Sequence, residues 1–162
     1  MTPVKISAAY TPLQKALHWA VVGLLLLQFF VFDGMGRPFN DSMKAHVPVY
    51  STTVYFHILI GATIFALAAW RLGLRARFGA PAAPEGEPEI FRTASKLAHL
   101  AFYVLLLGLP LGGMGAWFLQ SGTLGEMHEI GTNLLLLLAI VHVGAVLVHQ
   151  FVWKTALIRR MT

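Results

Sequence analysis

Cysteine is absent from this chain of 162 residues, which removes disulfides, thiolate metal sites, iron–sulfur clusters and cysteine nucleophiles from consideration. Charge is scarce too. Asp, Glu, Lys and Arg make up 12% of the chain, about half the share usual in a soluble globular domain. With 57% hydrophobic residues and a mean hydropathy of +0.68, the composition points to an integral membrane protein. One domain spanning residues 1–162 is expected, since neither an internal repeat nor a domain boundary stands out. A pI near 9.9 would suggest nucleic acid for a soluble chain. Here the bases cluster beside apolar segments, so topology accounts for them and no nucleic-acid partner is expected. The opening MTPVKISAAYTPLQKALHW lacks the order of basic region, apolar core and small-residue cleavage site, so no cleaved leader is expected.

Four apolar segments follow one another. Thr11 and Pro12 suit the N-cap and first position of a helix running to about Phe32. Residues 33–52 are polar and rich in turn formers, and read as a loop with at most one short turn along the membrane surface. A second helix is expected over Thr53–Leu74. An Ala/Pro/Gly/Glu-rich connector follows, with a composition that gives it no reason to pack. The third helix begins near Thr93, and Pro110 with Gly112, Gly113 and Gly115 should loosen its far half. Thr123 and Glu126 have capping-box spacing and place the start of the fourth helix just before His128. Trp19, Trp117 and Trp153 sit near segment ends and read as interface anchors.

Four spans with short connections make an all-α, up-and-down four-helix bundle. Lys5, Lys15, Arg71, Arg75, Arg77, Arg92, Lys96, Lys154, Arg159 and Arg160 fall on the side of both termini and the middle connector. Arg37 and Lys44 fall on the other. That asymmetry puts both termini of a multi-pass protein in the cytoplasm. Arg159 and Arg160 are placed to meet anionic lipid headgroups.

The histidines carry the chemistry. His128 and His142 are fourteen residues apart, about 21 Å along a helix and only about 40° apart around it. Imidazoles are costly against lipid, so they belong to the bundle interior. His57 starts the second helix at the depth of His128, and the two can approach one metal from opposite sides. Deeper toward the inner face, His142 has His18 of the first helix as a candidate partner. Depth alone equally tolerates His18 with His149. His99 lies near the same inner face, beside His149 in depth. Whichever of these stay unused as ligands could bind a quinone headgroup or relay protons, since imidazole titrates near physiological pH. His46 reads as an exposed loop histidine.

Zinc or non-haem iron wants three or four protein ligands, often with carboxylates, whereas each depth offers two histidines and no carboxylate at helical spacing. Two axial positions are what an iron porphyrin leaves vacant. Without cysteine the haem is the non-covalent b type, and Gly23, Gly61 and Gly131 would make room for its ring or for close helix packing.

The ordered set LQKALHW (13–19), YFHILIG (55–61), LAHLAFYVLLLGLPLGG (97–113), MHEIGTN (127–133) and VHVGAVLVHQFVWK (141–154) resembles the bacterial cytochrome b561 family of four-helix di-haem proteins. The resemblance implies two haem b groups, the inner one held by His18 and His142 and the outer one by His57 and His128. It places His99 and His149 at the quinone side. It also implies an electron-transport role as an oxidoreductase of the respiratory chain, passing single electrons between a periplasmic donor and ubiquinone. Some members resemble superoxide oxidases, that is, superoxide:ubiquinone oxidoreductases. This chain departs from that pattern in its short outer connection, LQSGTLGE. A small anionic donor would meet Arg37, Lys44 and His46 with Asp33 and Asp41 among them, and a periplasmic redox protein is the other candidate. The alternative is a haem-bearing membrane anchor or electron-transfer subunit serving a periplasmic protein partner.

Overall fold

The computed structural model describes residues 10–82, 87–155 and 157–162. Lys5 and connector residues 83–86 lie outside them. Among the described residues five α-helices form: α1 (Pro12–Phe30), α2 (Gly36–Ala45), α3 (Thr52–Phe78), α4 (Glu89–Phe118) and α5 (Gly122–Leu147). A π-helical turn, Val148–Val152, continues α5, and a 3-10 turn, Leu157–Arg160, closes the chain. Four of these helices, of 19, 27, 30 and (with the π turn) 31 residues, are long and apolar enough to cross a membrane. At 1.5 Å per residue the three longer ones exceed a hydrocarbon layer about 30 Å thick, and the 19-residue helix comes within about 2 Å of it.

Local chemistry sets the ends. Thr11 caps α1 in a full capping box with Gln14, whose side chain accepts from the Thr11 N–H at 2.9 Å. Pro12 stands first in that helix, where its missing N–H costs nothing. Ser51 caps α3, which runs to Phe78 rather than Leu74 because Arg75 and Arg77 complement its negative C-terminal end. Glu89 in the first turn likewise favours an earlier start for α4 than Thr93. The start expected at Thr123 is displaced: Ser121 is the cap, accepting from the Leu124 N–H, and Thr123 lies within the first turn of α5.

The polar segment expected to be a loop holds the ten-residue helix α2. Its buried Ser42 ties the helix to the chain beyond it, donating to the Pro38 carbonyl and accepting from the Val49 N–H, both at 2.8 Å. Phe39 of α2 reaches the backbone of α5 at Gly125 and the ring of Trp117. Trp117 is therefore buried at 3% exposure, not an interface anchor.

The extensive helix contacts run α1 with α3, α3 with α4, and α4 with α5; α5 meets α1 and α3 lightly at most. Val21, Ile60, Ile64, Ala68, Leu106 and Leu135 form the central core. Most other large apolar side chains face outward, as a helix bundle in lipid requires. α4 continues as helix through Pro110. Its glycines let α5 approach instead of loosening the turn: a Cβ on Gly113 would fall 2.9 Å from the His128 ring. One end of the bundle brings the start of α1 and Ala82 to the C-terminal residues. Lys15 donates to the Thr162 carbonyl at 2.6 Å, Trp19 to Met161 at 2.8 Å, and Arg160 to Ala82 at 2.6 Å.

Candidate functional site

The opposite end of the bundle holds the first imidazole pair. The Ser51 cap starts α3 so that His57 lies in its second turn, facing inward. There its Nδ1 meets the Gln28 amide of α1 at 2.5 Å. The Gln28 atom placed there is Nε2, which also reaches the His57 carbonyl at 3.4 Å, while Gln28 Oε1 is buried without a partner. With the amide turned over, that oxygen would accept the Nδ1 proton and leave the His57 Nε2 lone pair free for a metal. His128 is oriented from α4, donating from Nδ1 to the Leu109 carbonyl at 2.9 Å. Its Nε2 is likewise left to accept. The two rings stand 6.1 Å apart, centroid to centroid, at 63°.

That separation tests the fit of a haem. Two imidazoles on opposite sides of one iron, each nitrogen about 2 Å from the metal, place their centroids roughly 6 Å apart. Gly61, one turn beyond His57 on the same face, and Gly23 on α1 both have open space where a Cβ would stand. Gly131 differs, for its missing Cβ is filled by Leu109 at 2.6 Å, so it serves close packing of α4 on α5. Among the described residues, no three His, Asp or Glu side chains are grouped to hold a bare metal ion. The residues at this level fit two-point ligation of a porphyrin iron.

The second level gathers more groups than two. His142 of α5 faces His99 of α4, with ring centroids 6.0 Å apart at 84°, and Phe102 at 5.4 Å. His99 donates from Nδ1 to the Ser95 carbonyl at 2.6 Å, the same orienting device that α4 supplies to His128. His18 of α1 lies within electrostatic reach of both His99 and His142, and of Arg71 on α3. Three imidazoles from three helices thus surround one level. Depth counting set His99 beside His149; the structure sets it beside His142.

His149 stands apart from this group, in the π turn. It is buried, at 8% exposure, against Glu87, Thr155 and Trp153. Glu87 is the residue that reading the sequence missed, because it falls in the connector discounted for its composition. At the other end of the bundle His46 is exposed and caps α2 in a left-handed conformation, φ 54°. Arg37, Lys44, Asp33 and Asp41 are exposed near it.

With this geometry in place, two comparisons with known proteins bear on it. A family model for prokaryotic cytochrome b561 matches residues 9–162. Cytochrome b562 of Cereibacter sphaeroides is 34% identical over 152 residues, an alignment covering 94% of this chain and 94% of that protein.

Proposed function

The chain belongs to the prokaryotic cytochrome b561 family, a multi-pass bacterial membrane protein that transfers electrons with b-type haem, and on that premise we propose how its histidines divide the work. Two haems bind, one at each level. His57 and His128 would hold the haem at the α2 end, which faces the periplasm. His18 and His142 would hold the other at the end where α1 starts and α5 finishes, in the cytoplasm. Bound iron supplies the one-electron change of charge. The chain supplies imidazoles at fixed depth, an apolar surround, and access for partners at each face.

The single observation that carries this reading is the His57–His128 pair at 6.1 Å, on helices that make little backbone contact. A planar group needs a gap between the helices that ligate it. The lightly contacting pairs α1/α5 and α3/α5 leave such a gap. The same argument favours His18 over His99 as partner of His142, because α4 and α5 share the most extensive contact in the bundle. His99 then lines the inner haem, and His149 serves a quinone.

Single electrons pass between a periplasmic donor and ubiquinone at the cytoplasmic side. Superoxide is the small-anion candidate, drawn by Arg37, Lys44 and His46, and oxidation of superoxide would make the chain a superoxide:ubiquinone oxidoreductase. A second reading, a haem-bearing subunit serving a periplasmic protein, is favoured by the apolar side chains exposed at that end. These include Val47, Tyr50, Tyr55 and Leu119.

Purified protein with quantified haem tests both. Two low-spin b-type centres per chain, and superoxide oxidation that depends on added ubiquinone, support the enzyme. Turnover that appears only when a protein partner is added supports the subunit. One haem per chain would overturn the two-level arrangement.

A further inference from the structure

The π turn closes the chain around His149. Val148 accepts from Trp153 N–H at 3.0 Å, and Lys154 adopts a left-handed conformation, φ 52°. That reversal returns Thr155 to His149, whose carbonyl accepts both the Thr155 N–H at 2.9 Å and its hydroxyl at 3.2 Å. With its hydroxyl proton committed there, Thr155 can only accept from His149 Nδ1, 3.0 Å away. The nitrogen left to gain or lose a proton is Nε2. It faces Oε1 of Glu87 at 3.5 Å, with the two side chains 10% and 8% exposed.

A cavity of about 210 Å³ opens beside this pair, lined by Phe91, Ala145, Val148, His149 and Trp153. Its walls are two aromatic rings in edge contact, Phe91 and Trp153 at 4.9 Å, with the imidazole 4.5 Å from Trp153. Flat, almost wholly apolar walls with the His149 ring among them fit a planar apolar ring. π turns inside helices recur at functional sites for the same geometric reason: they re-aim a side chain.

From this geometry we infer that Glu87 is the positioning partner through which His149 delivers a proton to a quinone held in the cavity. The inference rests on the quinone reading of His149 given above. Reduction of a quinone to a quinol takes two electrons, supplied one at a time by the electron-transfer activity, and two protons, one at each ring oxygen. At one ring oxygen the O–H bond forms as the Nε2–H bond of His149 breaks, and the other oxygen takes its proton from water at the cytoplasmic face. Glu87 hands on the replacement from water at the cytoplasmic face. Among the described residues Glu87 is the charged side chain that meets His149. α4 offers it Phe91, and Arg92 is turned to Glu89 at 3.2 Å.

The test uses the haem-loaded chain, chemically reduced, freed of reductant and mixed rapidly with a short-chain ubiquinone across a pH series. Haem reoxidation is followed by absorbance. Glu87→Gln is expected to lower the limiting rate roughly 10²-fold, the scale of a lost general acid. It should also flatten the pH profile while the half-saturating quinone concentration and haem spectrum stay unchanged. Glu87→Asp should recover most of the rate. Wild-type rates in Glu87→Gln at every pH would overturn the proton role but leave the quinone reading intact. A change in half-saturation alone would make the pair a docking contact and also overturn the proton role. An altered haem spectrum in Glu87→Gln would make the pair structural and overturn the proton role as well. Wild-type protein that ubiquinone cannot reoxidise saturably would sink the quinone reading and this inference with it.

Discussion

The Cα of Gly113 lies directly under the imidazole of His128, so close that an added methyl would sit 2.9 Å from Cε1 and 3.0 Å from Nδ1. The ring can donate to the Leu109 carbonyl on the same face of α4 only because that methyl is missing. Gly113→Ala should therefore cost about 1–3 kcal/mol by overpacking. It should also turn the ring off its carbonyl. The expected result is loss or broadening of the outer haem signal with the inner one retained, read by low-temperature absorbance and haem content.

With its amide turned so that Oε1 faces the ring, Gln28 acts on His57 as the Leu109 carbonyl acts on His128, fixing which nitrogen keeps its lone pair. Gln28→Leu leaves Nδ1 without a partner and removes the restraint on ring rotation. Outer-haem retention should fall roughly 10–100-fold, the usual effect of removing such a partner. Gln28→Glu keeps an acceptor and should retain haem far better. Kinetics of haem loss to an excess of an apo-globin acceptor would compare the two.

Three imidazoles surround the inner level, and they are separable. His18→Gln should remove one b-type centre and leave the outer spectrum intact. His99→Gln should keep both centres, moving the inner band slightly as a neighbouring ring changes. If His99→Gln empties the inner level while His18→Gln spares it, α4 and not α1 supplies the second ligand. Haem stoichiometry on both variants decides the matter.

Lys154 adopts a conformation that costs an L-residue roughly 1–2 kcal/mol, and the return of Thr155 to His149 depends on it. Lys154→Gly should be neutral or stabilising, and Lys154→Val destabilising by about that amount. Thermal unfolding in detergent, compared at equal haem content, would measure both. The glycine variant should not disturb haem absorbance, since no ligand shares the turn.

The spans were legible because hydropathy and caps are local properties: Thr11, Pro12 and the run behind them suffice to start α1. The helix α2 was not. Its sequence, GRPFNDSMKA, is polar, and its order comes from Ser42 bonding to Val49 and Phe39 meeting Trp117 and Gly125. Those contacts join positions far apart in the chain. For the same reason Trp117 reads as an anchor until α2 is laid over it. At the start of α5 two hydroxyl residues stand two positions apart, and Ser121 prevails over Thr123 because its oxygen reaches Leu124 N–H. Histidine depth could be counted along each helix, which brings out His57 with His128. Direction around the axis could not be compared between helices, so the meeting of His99 with His142 stayed hidden. Glu87 was hidden more deeply, since its role depends on the π turn.

His128, His142 and His149 all hang from one continuous rod, α5 and its terminal turn. If that rod tilts or slides in the bilayer, the three stations travel as a set and their mutual intervals hold. The intervals are written in residue numbers, as on a ruler, instead of being negotiated by packing. A single residue inserted between His128 and His142 would therefore lengthen the interval by only about 1.5 Å but swing the lower stations by about 100°, away from every group that now faces them.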